Sequence, residues 1–216
     1  MKIPCDSSSL ISLSDNCILR VLENNKNKFV VPKRVKMEVF DSPFSTKRFK
    51  LRAIQINSFI KRGVIEVIDN PFIYSYAQEI TDLANSLLNY KGDYIKIIHQ
   101  GEAEVIACAK LLKENTVVLD ERTTRHLIED IDKLKKYMES RTGLRLEVNE
   151  GAKKKLEKEL SGIDVIRSAE IFAYAYEKQV LPYNTKDALE AGLYALKFSG
   201  CSITDEEIKD YVELLG

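Results

Sequence analysis

Acidic residues in this chain recur at the places where one element gives way to the next. Asp6 follows the apolar run "MKIPC", and Asp120 and Glu121 close the run "TVVLDE". Glu102 opens the periodic stretch "GEAEVIACAKLLKEN", and Glu38 lies in the stretch after "KFVVP". Carboxylates held a few ångströms apart repel one another and raise each other's pKa. A hard divalent cation, Mg²⁺ or Mn²⁺, removes that conflict because it prefers carboxylate and water oxygens. Such a cation activates water and holds phosphoryl oxygens, which is the chemistry of metal-dependent phosphodiester hydrolysis. Each acid also has a plainer reading. Asp6 ahead of a Ser run suits a helix cap, Glu102 suits the positive end of its helix, and Asp120–Glu121 suits a solvated turn. The recurrence of such acids on successive elements favours one shared site.

Cations are segregated as strongly. Between residues 26 and 62 there are eleven Lys or Arg against Glu38 and Asp41, a net of +9. The whole chain has 33 basic and 33 acidic residues, so the remainder carries the opposite charge. Lys33, Arg34, Lys36, Arg48, Lys50 and Arg52 are the candidate substrate-binding residues, gripping phosphates that flank a scissile one. A solvated helix face explains them equally well. Phe44, Phe49 and Phe59 interleave with these cations and suit either base stacking or a core.

The elements that must position these groups alternate. Strand-like runs fall at 1–5, 28–32, 64–69 and 116–120, with helical periodicity between them, including 51–62, 73–90 and 101–115. Strands separated by helices pair in parallel through right-handed crossovers, so the fold class is α/β, a three-layer α/β/α arrangement with a central parallel sheet. Ligands of such sheets bind beyond the carboxyl ends of the strands, where Asp6 and Asp120 fall. After about residue 145 the pattern changes to one strand, "IDVIR" (163–167), and three helices. This divides the chain into 1–145, the metal-site domain, and 146–216, a mainly helical C-terminal extension packed on it.

Other chemistries find little support. The longest apolar runs are too short to cross a bilayer, and the N-terminus does not read as a secretory signal. Cys5, Cys17, Cys108 and Cys201 are scattered, which argues for reduced thiols in a cytoplasmic protein rather than a zinc site. No Gly-rich nucleotide loop is present, and His99 and His126 have no partners that would mark a nucleophilic triad.

The segments "CDSSSLISL", "VVPKRVKMEVF", "GEAEVIACAK" and "VVLDERTTR" together resemble the PIN-domain family, in the family's order, over about residues 3–130. The likeness is to a prokaryotic, largely archaeal branch, whose C-terminal segments the runs "DVIRSAEIFAYAYEKQVL" and "ALKFSGCSITDEEI" also resemble. The resemblance implies a metal-dependent ribonuclease with Asp6, Glu38, Glu102, Asp120 and Glu121 as its acids. Of these, Asp6, Glu102, Asp120 and Glu121 would hold Mg²⁺ or Mn²⁺. Ser8 would take the hydroxyl position of the D-x-S motif, bonding a metal-bound water or a ligand carboxylate. Glu104 competes with Glu102, and the spacing to the following "IA" favours Glu102.

Three functions follow as expectations. The first is an endoribonuclease using metal-activated water on RNA. The second is an RNA-binding or assembly module that kept the fold and lost metal affinity, favoured by Asp120–Glu121 where the family commonly has two Asp. The third is a VapC-type toxin held by an antitoxin, against which the long extension weighs. RNA is the expected partner, no membrane is expected, and a homodimer is left open. Arg167 and Glu170 are expected to form a salt bridge within or beside a helix rather than to face the site.

Overall fold

In the computed structural model, which describes residues 1–23 and 26–216, short parallel strands carry the central sheet. Strand β1 (Lys2–Pro4) pairs with β2 (Lys28–Pro32), and β2 with β3 (Ile65–Ile68), all in parallel. On the other side of β1 a single parallel bridge, Cys5 to Val118, reaches the strand at Thr116–Val118, and the Asp6 amide donates to the Val118 carbonyl at 3.1 Å. That strand pairs in turn with a parallel strand at Asp164–Ile166. The extension beyond residue 145 therefore supplies an edge strand of the sheet.

The remaining strands form a separate antiparallel ribbon: β4 (Leu88–Tyr90) pairs with β5 (Asp93–Tyr94) and with a strand at Glu147–Val148. In chain order the strands at 116, 147 and 164 are β6, β7 and β8, and the main sheet runs β3-β2-β1-β6-β8. The order reverses at β1, so the crevice beyond the ends of β1 and β6 is the switch point of an open parallel sheet.

The helices are α1 (Ser7–Asp15), α2 (Lys33–Lys36), α3 (Ser42–Phe44), α4 (Lys50–Lys61), α5 (Pro71–Asn85), α6 (Gln100–Leu112), α7 (Arg122–Glu129) and α8 (Ile131–Thr142). The extension adds α9 (Glu150–Leu160), α10 (Ser168–Glu177), α11 (Lys186–Phe198) and α12 (Asp205–Leu215). Helix α6 packs on β1, β2 and β6 with α5 outside it, while α1 packs against α4 and α10. The architecture is α/β with a parallel sheet and a mainly helical C-terminal part, as the sequence pattern implies. One buried cluster runs from Ile3 through Val117 to Phe172, Leu189 and Ile208, so the extension shares the core of the first 145 residues. No helix among the described residues is long and apolar enough to cross a membrane.

Several elements differ from their sequence reading. Among the described residues the part after 145 holds two strands, β7 and β8, and four helices, rather than one strand and three helices, because α9 and the short β7 precede them. The helix expected over 73–90 ends at Asn85, and residues 88–94 form the β4–β5 hairpin instead. Lys91 and Gly92 both take positive φ (53° and 92°), which is what a two-residue hairpin turn requires, whereas the apolar pair Leu87–Leu88 fits either period. Asn85 itself accepts from the Ile97 and Ile98 amides at 2.7 and 3.0 Å, fastening the loop that leads into α6. Between α2 and α3 the helix widens into a π-turn at Met37–Asp41, which contains Glu38; such turns often mark functional positions.

Candidate metal and phosphate site

Asp6 leaves β1 and caps α1. Its Oδ1 accepts from the Ser9 amide at 2.9 Å and its Oδ2 from the Ser8 hydroxyl. The capping reading of Asp6 is thus met, in a position that also leaves its carboxylate at the cleft. The same holds for two other acids. Glu102 Oε2 accepts from the His99 amide at the start of α6 at 2.7 Å, and Glu121 Oε2 accepts from the Thr124 amide at the start of α7, also at 2.7 Å. Glu38, from the π-turn, accepts from the Ser7 hydroxyl at 2.8 Å.

These four acids line one cleft of about 400 Å³, together with Ser7, Ser8, Arg34, Lys96, His99, Gln100 and Gly101. Three helix N-termini, those of α1, α6 and α7, begin at this cleft. Their partial positive charge offsets part of the acid repulsion and suits a phosphate group. Gly101 has a local reason: a Cβ there would stand 3.0 Å from Glu38 Oε1.

The electrostatics record the crowding. Burial first, then the charge of Asp120, pushes the Asp6 carboxyl up to about 6, against the hydrogen bonds from Ser8 and Ser9. Burial also lifts Glu102 to about 7, with Glu121, Asp6 and Glu38 adding to the rise. A positive ligand among these acids would favour their charged forms and relieve the repulsion.

Asp120 is brought to the same region but not into the cleft. It is 1% exposed, and its two oxygens accept from the Ser168 amide (2.7 Å) and hydroxyl (2.6 Å) at the start of α10. Burial raises its pKa and the bonds from Ser168 oppose the rise. Glu104 lies elsewhere again. It is buried beside Arg34 in a separate apolar pocket with Met37 and Tyr74, burial raising its pKa and Arg34 opposing that. Residues 102 and 104 are some 200° apart around the helix, so one helix cannot aim both at the cleft.

Among the six candidate substrate cations, Arg34 lines the cleft, 3.4 Å from Glu38. Lys33 pairs with Asp69 at 2.8 Å, Lys36 with Asp41 at 2.9 Å and Arg52 with Asp15 at 2.7 Å. Arg48 lies over the Phe49 ring and Lys50 over that of Phe44, which is exposed, whereas Phe59 is buried. Sequence reasoning missed Lys96, Ser7 and Ser168. Lys96 lies outside the basic run, the other two are small hydroxyls in ordinary sequence, and nothing in the sequence pairs them with acids far along the chain. Arg167 bonds Glu170 and reaches Glu207 of α12 at 2.9 Å, as a buried salt bridge away from the cleft lining. All four cysteines are free, three buried and Cys17 exposed.

Among the described residues, no group of three or more His, Cys, Asp or Glu side chains is already arranged as a metal cage. The donors in the cleft still suit a hard cation. The four acids of the cleft offer oxygens, a carboxylate has about four lone-pair sites so a single amide bond leaves capacity, and Mg²⁺ keeps several of its waters when bound by one or two carboxylates.

A family model, DUF3368, described as a PIN domain, matches residues 2–132. No curated protein and no solved structure matches the chain. PIN domains are generally nucleases and typically use divalent metal ions. With its parallel sheet, its acids gathered at the switch point and more than half of its length matched, the chain belongs to the PIN-domain family.

Proposed function

We propose that the protein is a Mg²⁺- or Mn²⁺-dependent endoribonuclease that cleaves single-stranded or structured RNA with water. The observation that carries this reading is the convergence of Asp6, Glu38, Glu102 and Glu121, from four separate elements, on one cleft with Arg34 and Lys96 at its sides. Asp6, Glu102 and Glu121 would hold the cation, with Glu38 beside them. The bound cation supplies an activated water and charge stabilisation at phosphorus. The chain's own groups do the rest. Ser8 and the Ser9 amide orient the Asp6 carboxylate, Ser7 orients Glu38, and Arg34 and Lys96 hold the phosphates on either side of the scissile one. Asp120 acts from behind the cleft. A cytoplasmic setting belongs to this reading and agrees with four free cysteines. Neither a second copy nor an antitoxin is part of it.

A second reading, an RNA-binding module without catalysis, is favoured by one observation: the acids already serve as caps and form no ready cage among the described residues. Titrating Mg²⁺ and Mn²⁺ into wild type and Asp6→Asn with single-stranded RNA separates the two. The nuclease reading expects metal-dependent cleavage that Asp6→Asn abolishes. RNA binding without cleavage at any metal concentration leaves the binding module standing. Cleavage unchanged in Asp6→Asn points to another site.

A further inference from the structure

The family model ends at residue 132, yet Asp120, the buried acid beside the cleft, is held from beyond it. Both oxygens of Asp120 accept from Ser168, one from its amide and one from its hydroxyl, and the Asp120 carbonyl accepts from the Ser202 amide at 3.1 Å. Ser168 is in turn fixed from two sides. The Leu119 amide donates to the Ile166 carbonyl at 2.9 Å, setting the register of β8 against the end of β6. Next to Ser168, the buried Arg167 guanidinium donates to the Ser202 carbonyl at 2.8 Å and to Glu207 at 2.9 Å, tying α10 to the segment before α12. Asp120 is therefore clamped by two stretches of the extension at once.

The clamp has a consequence for the next residue. Glu121 follows Asp120 in extended backbone, its side chain lining the cleft while that of Asp120 is buried on Ser168. With Asp120 locked inward on Ser168, Glu121 is committed to the cleft. Had the pair slipped by one residue, Asp120 would reach the cleft with a shorter side chain and Glu121 would be buried.

We infer that Ser168 is a positioning residue of the metal site: it holds Asp120, and through it sets Glu121 to face the cation. The extension thus completes the site rather than merely covering the sheet. This rests on the metal-dependent reading of the cleft. A group bonded directly to a metal ligand contributes about 10- to 100-fold to affinity, and Ser168, one residue further back, is expected at the low end of that range.

The test compares full-length wild type, Ser168→Ala, Ser168→Thr and Ser168→Cys. The readouts are Mn²⁺ affinity by electron paramagnetic resonance, melting in EDTA, and kcat and KM on single-stranded RNA. Ser168→Ala is expected to weaken Mn²⁺ binding about tenfold and lower kcat with KM unchanged, and Ser168→Thr, which keeps the hydroxyl, to restore both. Should Ser168→Ala fail to fold, Ser168→Cys gives the same comparison with a similar volume and a weak donor. A lower melting temperature with wild-type Mn²⁺ affinity makes Ser168 a structural tether only and overturns the inference. Wild type that binds no Mn²⁺ overturns the nuclease reading and this inference together, whereas wild-type binding matched by the variants overturns this inference alone.

Discussion

Gly101 and Glu38 meet across the cleft: a Cβ on Gly101 would stand 3.0 Å from Glu38 Oε1 and 3.2 Å from Oε2. The first turn of α6 and the π-turn after α2 thus approach so closely that an added Cβ would press on the Glu38 carboxylate. Gly101→Ala is expected to push the Glu38 carboxylate aside by a few tenths of an ångström and lower cleavage about tenfold. Folding stability should hold or rise, since Ala exceeds Gly in helix propensity by up to about 1 kcal/mol. Steady-state kinetics beside denaturant unfolding checks both halves.

Asp6→Asn separates charge from cap. Asn caps a helix as well as Asp does, so the bond to the Ser9 amide survives while the negative charge disappears. Cleavage should fall by at least about 100-fold, as expected for loss of a metal ligand and its charge. In EDTA at pH 8 the variant should melt no lower than wild type, because the charge it lacks is one that burial and Asp120 disfavour. A clear drop in melting temperature would contradict this account of the site.

The raised carboxyls set a pH dependence with a definite sign. Asp6 at about 6 and Glu102 at about 7 bind protons more tightly folded than unfolded. Their contribution to stability is fully present below the unfolded value near 4 and is lost as pH rises through 6 to 7. Metal binding needs the charged forms and runs the other way. Metal-free protein should therefore lose melting temperature between pH 5 and pH 8, with a smaller loss in Glu102→Gln. The gain on adding Mn²⁺ should grow over the same range. Melting curves with EDTA and with Mn²⁺ at each pH decide it.

Arg34 and Arg52 should behave differently although both belong to the same basic run. Arg34 lines the cleft, whereas Arg52 is spent on Asp15 at 2.7 Å and its side chain is only 16% exposed. Arg34→Ala is expected to weaken single-stranded RNA binding and to reduce the dependence of log affinity on log salt by about 0.7, the value for one phosphate contact. Arg52→Ala should leave that slope unchanged. Fluorescence anisotropy over a salt series reads both.

The extension can be loosened without touching the cleft. A Cβ on Gly192 of α11 would overlap the Phe172 ring of α10. Gly192→Ala should destabilise the chain by about 1–3 kcal/mol through overpacking. Urea unfolding with an unchanged slope would report it as a change in stability alone.

Much of the fold was legible because its signals are local. Runs such as "KFVVP" and "TVVLD" became strands where read, and "GEAEVIACAKLLKEN" became α6, since apolar periodicity depends on near neighbours. The helix over 73–90 overran because Leu87 and Leu88 satisfy both periods, and the deciding turn is a Lys-Gly pair rather than Asn-Gly. Ser168 was not legible at all: its partner lies 48 residues away, and a serine at a helix start has a sufficient local reason.

The sequence by itself determined which acids stand at strand ends and helix starts, and so the chemistry they offer. It also held the segregation of charge in residues 26–62. Only the tertiary structure decided which members of each pair share the cleft. Asp120 is buried on Ser168 while its neighbour Glu121 lines the cleft, and Glu102 and Glu104 are about 200° apart on a helix, so within each pair the two side chains part. Which one turns inward depends on the register of β6 against β1 and β8, and on the face α6 presents to β1 and β2. Those are contacts between segments far apart in the chain, and no local pattern encodes them.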